Sequence, residues 1–250
     1  MSALAVWLLA LGTGDLVRAI APVRWRRLGT GIAVAAAITV TLLAGLTAVP
    51  DLLLLVIAMA GLIAWGVLSE RALRTGRNHL AALAVAAAPA LLALGFSGAL
   101  LPVGGPIAGW LGWSALPLVH GVDAGRALLL AGLFVVNLAT GNVIVRLVLL
   151  ATGALRAPVD STHQSDDELK GGRLLGPMER VFILGLGLAG EMTAASMVIA
   201  AKGLLRFPEL QAKRNAPAAP GAGIDEVTEY FLVGSFVSWL IALLSLALTR

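Results

Sequence analysis

Long apolar runs separated by short polar interruptions set the pattern of this chain. They lie near 2–19, 29–49, 52–69, 79–99, 126–152, 178–203 and 229–249. A helix needs roughly 20 apolar residues to cross a bilayer, so the pattern predicts an all-α, polytopic transmembrane helix bundle with seven spans. The first run is the weakest, being apolar only to Leu11 before Gly12, Gly14, Asp15 and Arg18 interrupt it. Its positive charges (Arg18, Arg24, Arg26, Arg27) follow the apolar stretch, whereas a cleaved signal peptide carries them before it. The first run therefore reads as a retained helix with its N-terminus outside.

The interruptions carry information of their own. Asp51 follows Pro50 and precedes Leu52-Leu53-Leu54-Leu55, which suits a helix N-cap. Residues 154–172 and 211–223 have the polar, Pro- and Gly-containing composition of flexible loops. The stretch from Leu101 to Val119, with Pro102, Gly104, Gly105, Pro106, Trp110, Trp113 and Pro117, suits an interfacial or re-entrant segment. A short or re-entrant segment at 104–119 would raise the span count to eight.

Composition agrees with the pattern: 59% of the 250 residues are hydrophobic and 13% are charged, and the mean hydropathy is +0.93. A soluble domain carries about twice that share of charge, so soluble enzymes and disordered chains are excluded. The net charge of +4 is no nucleic-acid signature, because the basic residues cluster between apolar runs, as the positive-inside rule requires. The absence of Cys removes disulfides, thiolate metal sites and cysteine nucleophiles. With three His, two of them outside the expected spans and His79 at the very edge of one, no metal or cofactor is expected. The implied partners are the lipid bilayer and other membrane subunits, or copies of the same chain.

Counting basic residues exposes one conflict. They fall on alternate sides through the first four spans. Residues 153–180 and 202–224 are then both basic, although one expected span separates them.

The sixth run holds the most suggestive charges. Arg180, Glu191 and Lys202 are spaced by eleven, which on one continuous helix returns each to within ~20° of the same face, ~16 Å apart. Arg180 and Lys202 would then snorkel to opposite interfaces and leave Glu191 near the bilayer centre, where a carboxylate marks function. The fifth run offers Asn137, Asn142 and Arg146 as neighbours, with Arg146 balancing Glu191. Asp15 is a further charge within an expected span. Together Glu191, Arg146, Asn142, Asn137 and Asp15 form the candidate polar intramembrane site.

Other apparent motifs carry less. Gly185-Leu-Gly187-Leu-Ala-Gly190 fits GxGxxG, but it lies in an apolar helix without a preceding strand, so small-residue helix packing is the better reading. Gly95-Phe-Ser97-Gly98 with His120 lacks a base placed as rhomboid-type serine chemistry needs. Trp7, Trp65 and Trp239 read as interfacial or lipid-facing anchors.

The last third contains an ordered block: Gly172-Arg173…Gly176…Glu179-Arg180, Ala200-Ala201-Lys202…Arg206-Phe207, and Glu229-Tyr230…Gly234-Ser235. Over about 172–245 it resembles a family of uncharacterised bacterial integral membrane proteins. The resemblance implies a bacterial inner-membrane location and paired last helices, with Glu179, Arg180, Lys202, Arg206, Glu209 and Glu229 acting as a set. Within that set, Glu179, Glu209 and Glu229, with Asp51 elsewhere, are structural ion-pair or capping candidates, Glu179 and Glu229 being expected near helix starts. Lys202, Arg206 and Arg180 are candidate contacts for an anion or lipid head group. The functional expectation is a small transporter, channel or carrier subunit with a polar site between spans five and six. The alternatives are a membrane-embedded enzyme acting on a lipid or isoprenoid-linked substrate, or a non-catalytic scaffold. No catalytic residue is assigned.

Overall fold

The computed structural model describes residues 1–114, 121–155, 172–215 and 224–249. Among these the chain is helical, with no strand. The helices are α1 (Ser2–Ile20), α2 (Leu28–Leu43), α3 (Val49–Thr75), α4 (His79–Gly95), α5 (Gly105–Trp113), α6 (Ala124–Leu138), α7 (Thr140–Thr152), α8 (Gly172–Leu188), α9 (Met192–Asn215) and α10 (Ile224–Ala247). Three segments are long and apolar enough to cross a membrane: α1, α3 and the Glu229–Ala247 part of α10. A fourth is added if α6 and α7, interrupted at Ala139, count as one broken span. Leu28–Leu43, His79–Gly95 and Met192–Leu204 are apolar but shorter.

Three expectations are corrected here. The run 178–203 is two helices, because the chain leaves α8 at Gly190, with φ of +84°, and restarts at Met192. Only glycine adopts that left-handed conformation without strain, and it commonly ends helices. The 104–119 segment holds the short, nine-residue α5, ~14 Å long; residues 115–120 lie outside the described residues. Residues 211–215, expected within a loop, continue α9, while 156–171 and 216–223 lie outside the described residues. Asp51 is not an N-cap, because α3 already begins at Val49 and places it in the first turn.

Contacts divide the chain into two units, the first made mainly of Met1–Glu70 with Leu80–Thr140, the second of Gly141–Leu248 with Arg71–His79. In the first unit α1 packs against α2 and α6. Glycines that weaken α1 as an apolar run let backbones meet. A Cβ on Gly12 would lie 2.8 Å from the Val136 nitrogen, and one on Gly132 would lie 3.0 Å from the Leu9 nitrogen. Gly14 meets Gly29 and Ala33 of α2 in the same way. Small residues at the crossing and large ones outside follow, since Leu52, Leu53, Val56, Ile57, Ile63 and Val67 of α3 are all exposed.

In the second unit α8 and α9 pack on each other and both touch α10. Glu179 of α8 sits beside Trp239 of α10, and Gly187 sits against Leu246, so α8 and α10 run parallel. Leu149 of α7 faces Gly234 while Asn142 meets Arg180, so α7 runs the other way, as does α9 after the reversal at Gly190.

Overpacking a close crossing costs about 1–3 kcal/mol. Gly132→Leu is therefore expected to lower the melting temperature of the purified protein by several degrees. Gly31→Ala, where a Cβ meets nothing within 4 Å, is expected to leave it unchanged or raise it. Thermal unfolding followed by tryptophan fluorescence checks both.

Candidate functional site

Each unit encloses a charged cluster of its own. In the first, Asp15 is 3% exposed and pairs with Arg18 one helical turn on. The Trp65 indole donates to both carboxylate oxygens at 3.2 and 3.1 Å. Arg18 also donates to Ser69 Oγ and to the Gly66 carbonyl, each at 3.4 Å. Thr140 Oγ1 lies beside the carboxylate without the geometry of a full hydrogen bond. The i, i+3 spacing puts acid and base on one helix face, and the small residues around them admit Trp65 from α3.

The second cluster is denser. Arg180 is 1% exposed and donates from Nη2 to Asn142 Oδ1 at 2.7 Å and from Nη1 to Ser238 Oγ at 3.0 Å. Its guanidinium occupies the space of a missing side chain: a Cβ on Gly141 would come within 2.7 Å of Nε. Next to it, Glu179 is buried and accepts from Lys202 Nζ at 2.5 Å and from the Trp239 indole at 2.6 Å. The Lys202 ammonium also lies 5.9 Å from the centre of the Trp239 ring, within reach of a cation–π attraction. Three ionisable groups from α8 and α9 thus converge on α7 and α10.

This arrangement differs from the one expected on a single continuous helix. Ser238 is the midpoint of the apolar stretch Glu229–Ala247, so Glu179, Arg180 and Lys202 sit level with the middle of α10. Glu191 is exposed at the reversal between α8 and α9, level with the far end of α10. Arg146 is exposed on α7, and no ion pair joins it to Glu191.

The remaining expected positions disperse. Asn137 is buried on α6 and donates to the Leu133 carbonyl at 2.8 Å. Glu229 is exposed, five residues beyond the start of α10 rather than at its tip, and Glu179 lies seven residues into α8. Arg206 and Glu209 belong to α9, with side chains outside the described ones. Trp7 and Trp65 are fully buried rather than lipid-facing.

Reading the sequence missed Ser238 and misjudged Trp65 and Trp239. A signal for Ser238 existed: Ser235, Ser238 and Ser245 repeat at intervals of three and seven in the last span, and all three are buried. No protein-family model, curated protein or solved structure matches the chain.

Removing one partner of a buried pair leaves the other charge uncompensated, at about 3–5 kcal/mol in a dry site; the partly exposed Lys202 places the effect at the lower end. Glu179→Gln and Lys202→Met are each expected to lower the melting temperature clearly. The double variant is expected to lose less than the sum of the two, the coupling that a double-mutant cycle in detergent measures.

Proposed function

We propose that the chain is a multi-pass protein of the bacterial inner membrane, a small transporter or carrier subunit whose working polar site is the Glu179–Arg180–Lys202 cluster. The observation that carries this reading is the burial of Glu179 and Arg180, with the partly exposed Lys202 paired to Glu179, level with the middle of an apolar stretch. Packing alone does not call for them, since well-packed apolar residues replace a buried ion pair at little or no cost in stability. An ion pair that a charged solute or a proton can exchange with is a working part of carriers, and charges inside membranes mark such paths by default. The cluster joins α7 to α8 through Asn142 and Arg180, so the site lies between the expected fifth and sixth spans on other residues than Arg146 and Glu191.

The reversal at Gly190 also removes the charge conflict. If 172–215 crosses the membrane twice, residues 153–171 and 209–224 face the same side, and each brings two basic residues there (Arg156 and Lys170; Lys213 and Arg214), the acidic residues beside them counting little in the positive-inside rule. With the shorter apolar helices α2 and α4 also crossing, and α6–α7 crossing once, the chain makes eight crossings. Both termini then lie outside, and every Arg- or Lys-rich interval lies inside. The chain contains no native Cys, which makes labelling free of background. Single Cys at Ser165 and at Ala218 are expected to react from the same, cytoplasmic side, and Cys at Glu191 from the opposite one. Opposite sides for Ser165 and Ala218 would restore the seven-span topology.

A second reading is favoured by one observation: both carboxylate oxygens of Glu179 are partnered, by Lys202 and by the Trp239 indole, as a structural clamp in a scaffold subunit would require. Ion-flux measurement and lipidomics on a deletion strain separate the two. A carrier is expected to lose flux when complemented with Glu179→Gln/Lys202→Met at wild-type abundance. Unchanged flux with that variant assigns the cluster to scaffolding.

A further inference from the structure

We propose that the turn joining α1 to α2 is a docking site for anionic phospholipid, with Arg24, Arg26 and Arg27 holding headgroup phosphates of the inner leaflet and Trp25 seated among the headgroups. The proposal rests on the multi-pass reading above, which puts this turn inside, and not on the Glu179 cluster. Residues 16–50 contain four arginines and no Asp or Glu. Arg18 is engaged by Asp15, Ser69 and the Gly66 carbonyl. The other three are exposed, and among the described residues no carboxylate pairs with them. Three uncompensated guanidiniums so close together suit a partner that carries phosphates, which the planar guanidinium fork binds through paired hydrogen bonds.

The backbone keeps the three together. Pro22 follows the last residues of α1 and cannot continue the helix, and Ala21 before it is extended. Val23–Trp25 form one 3-10 turn, in which the Trp25 N–H donates to the Pro22 carbonyl at 2.8 Å. The Gly29 N–H donates to the Arg26 carbonyl at 3.1 Å as α2 begins. Both helices are in close contact nearby, where a Cβ on Gly14 would lie 2.9 Å from the Gly29 carbonyl oxygen. The Arg24 guanidinium lies 5.7 Å from the centre of the Trp25 ring, within cation–π reach. Trp25 is 49% exposed, and the turn is flanked by Ile20 at 76% and Leu28 at 50%. An acidic protein segment would meet the charge but not these three apolar side chains. A lipid headgroup layer meets both, because indoles settle at that depth and arginines find phosphate there. The positive-inside rule needs only a count of charges; it does not call for their clustering around an exposed indole.

Native mass spectrometry of the full chain, taken from detergent holding equal amounts of phosphatidylglycerol and phosphatidylcholine with the same acyl chains, reads the preference. The wild type is expected to retain phosphatidylglycerol over phosphatidylcholine by about tenfold or more. Arg24→Gln/Arg26→Gln/Arg27→Gln changes exposed side chains only, so it is expected to keep its melting temperature while falling to within about threefold of no preference. Arg71→Gln/Arg77→Gln removes basic residues that stand farther apart, in an interval that also holds Glu70, and is expected to stay within about threefold of the wild type. The same preference in the wild type and the triple variant, or an equal loss in both variants, would overturn the proposal. Equal retention of the two lipids by the wild type would overturn it too, and is what a docking site for an acidic protein segment would give. Equal retention counts against the lipid site alone, whereas retention of neither lipid counts against the multi-pass reading as well.

Discussion

Glu179 and Lys202 are 23 residues apart in the chain and in direct contact. On a continuous helix they would stand about 35 Å apart, so their contact requires the backbone to reverse between them. The reversal falls where glycine permits it, at Gly190, near the midpoint between the two side chains. Once it is made, α8 lies parallel to α10 and α9 antiparallel to both. Arg180 then reaches Asn142 and Ser238, and Trp239 closes over the pair. The geometry of the second unit follows from satisfying these charges inside an apolar assembly.

The first unit answers the same requirement differently. Asp15 and Arg18 lie one turn apart on α1 and neutralise each other locally, with Trp65 and Ser69 completing the shell. Here glycine supplies close approach rather than reversal: Gly12, Gly14, Gly29 and Gly132 bring three helices together. In both units Gly, Ala and Ser occupy crossings, with large side chains such as Leu133, Leu147 and Ile183 filling the core and many other Leu, Ile and Val exposed.

Much of this was legible in the chain and some was not. The helical class and the approximate place of most helices follow from the apolar runs, and Asp15 reads as a further charge within an expected span, after Glu191 and Arg146. The break at Gly190 was hidden because Gly185-Leu-Gly187-Leu-Ala-Gly190 keeps the apolar pattern running through it. A spacing of eleven has two geometric readings. Along one helix it stacks Arg180, Glu191 and Lys202 on a face; about a reversal it brings the first and last levels together and leaves the middle residue at the turn. Periodicity cannot choose between them. The charge conflict between the intervals 153–180 and 202–224 could have, because one added crossing removes it. The partners Trp65, Ser238 and Trp239 depend on tertiary packing that no local pattern encodes.

A distance across the reversal is the most direct test. Met178 and Leu204 are exposed, nearly symmetric about Gly190, and replaceable by Cys in a chain with no native Cys. Spin labels on the two, measured by double electron–electron resonance in nanodiscs, are expected to give a distance on the order of 10–25 Å, as for neighbouring antiparallel helices. A narrow distribution near about 39 Å, the length of 26 residues of continuous helix, would contradict the hairpin and the charge cluster built on it.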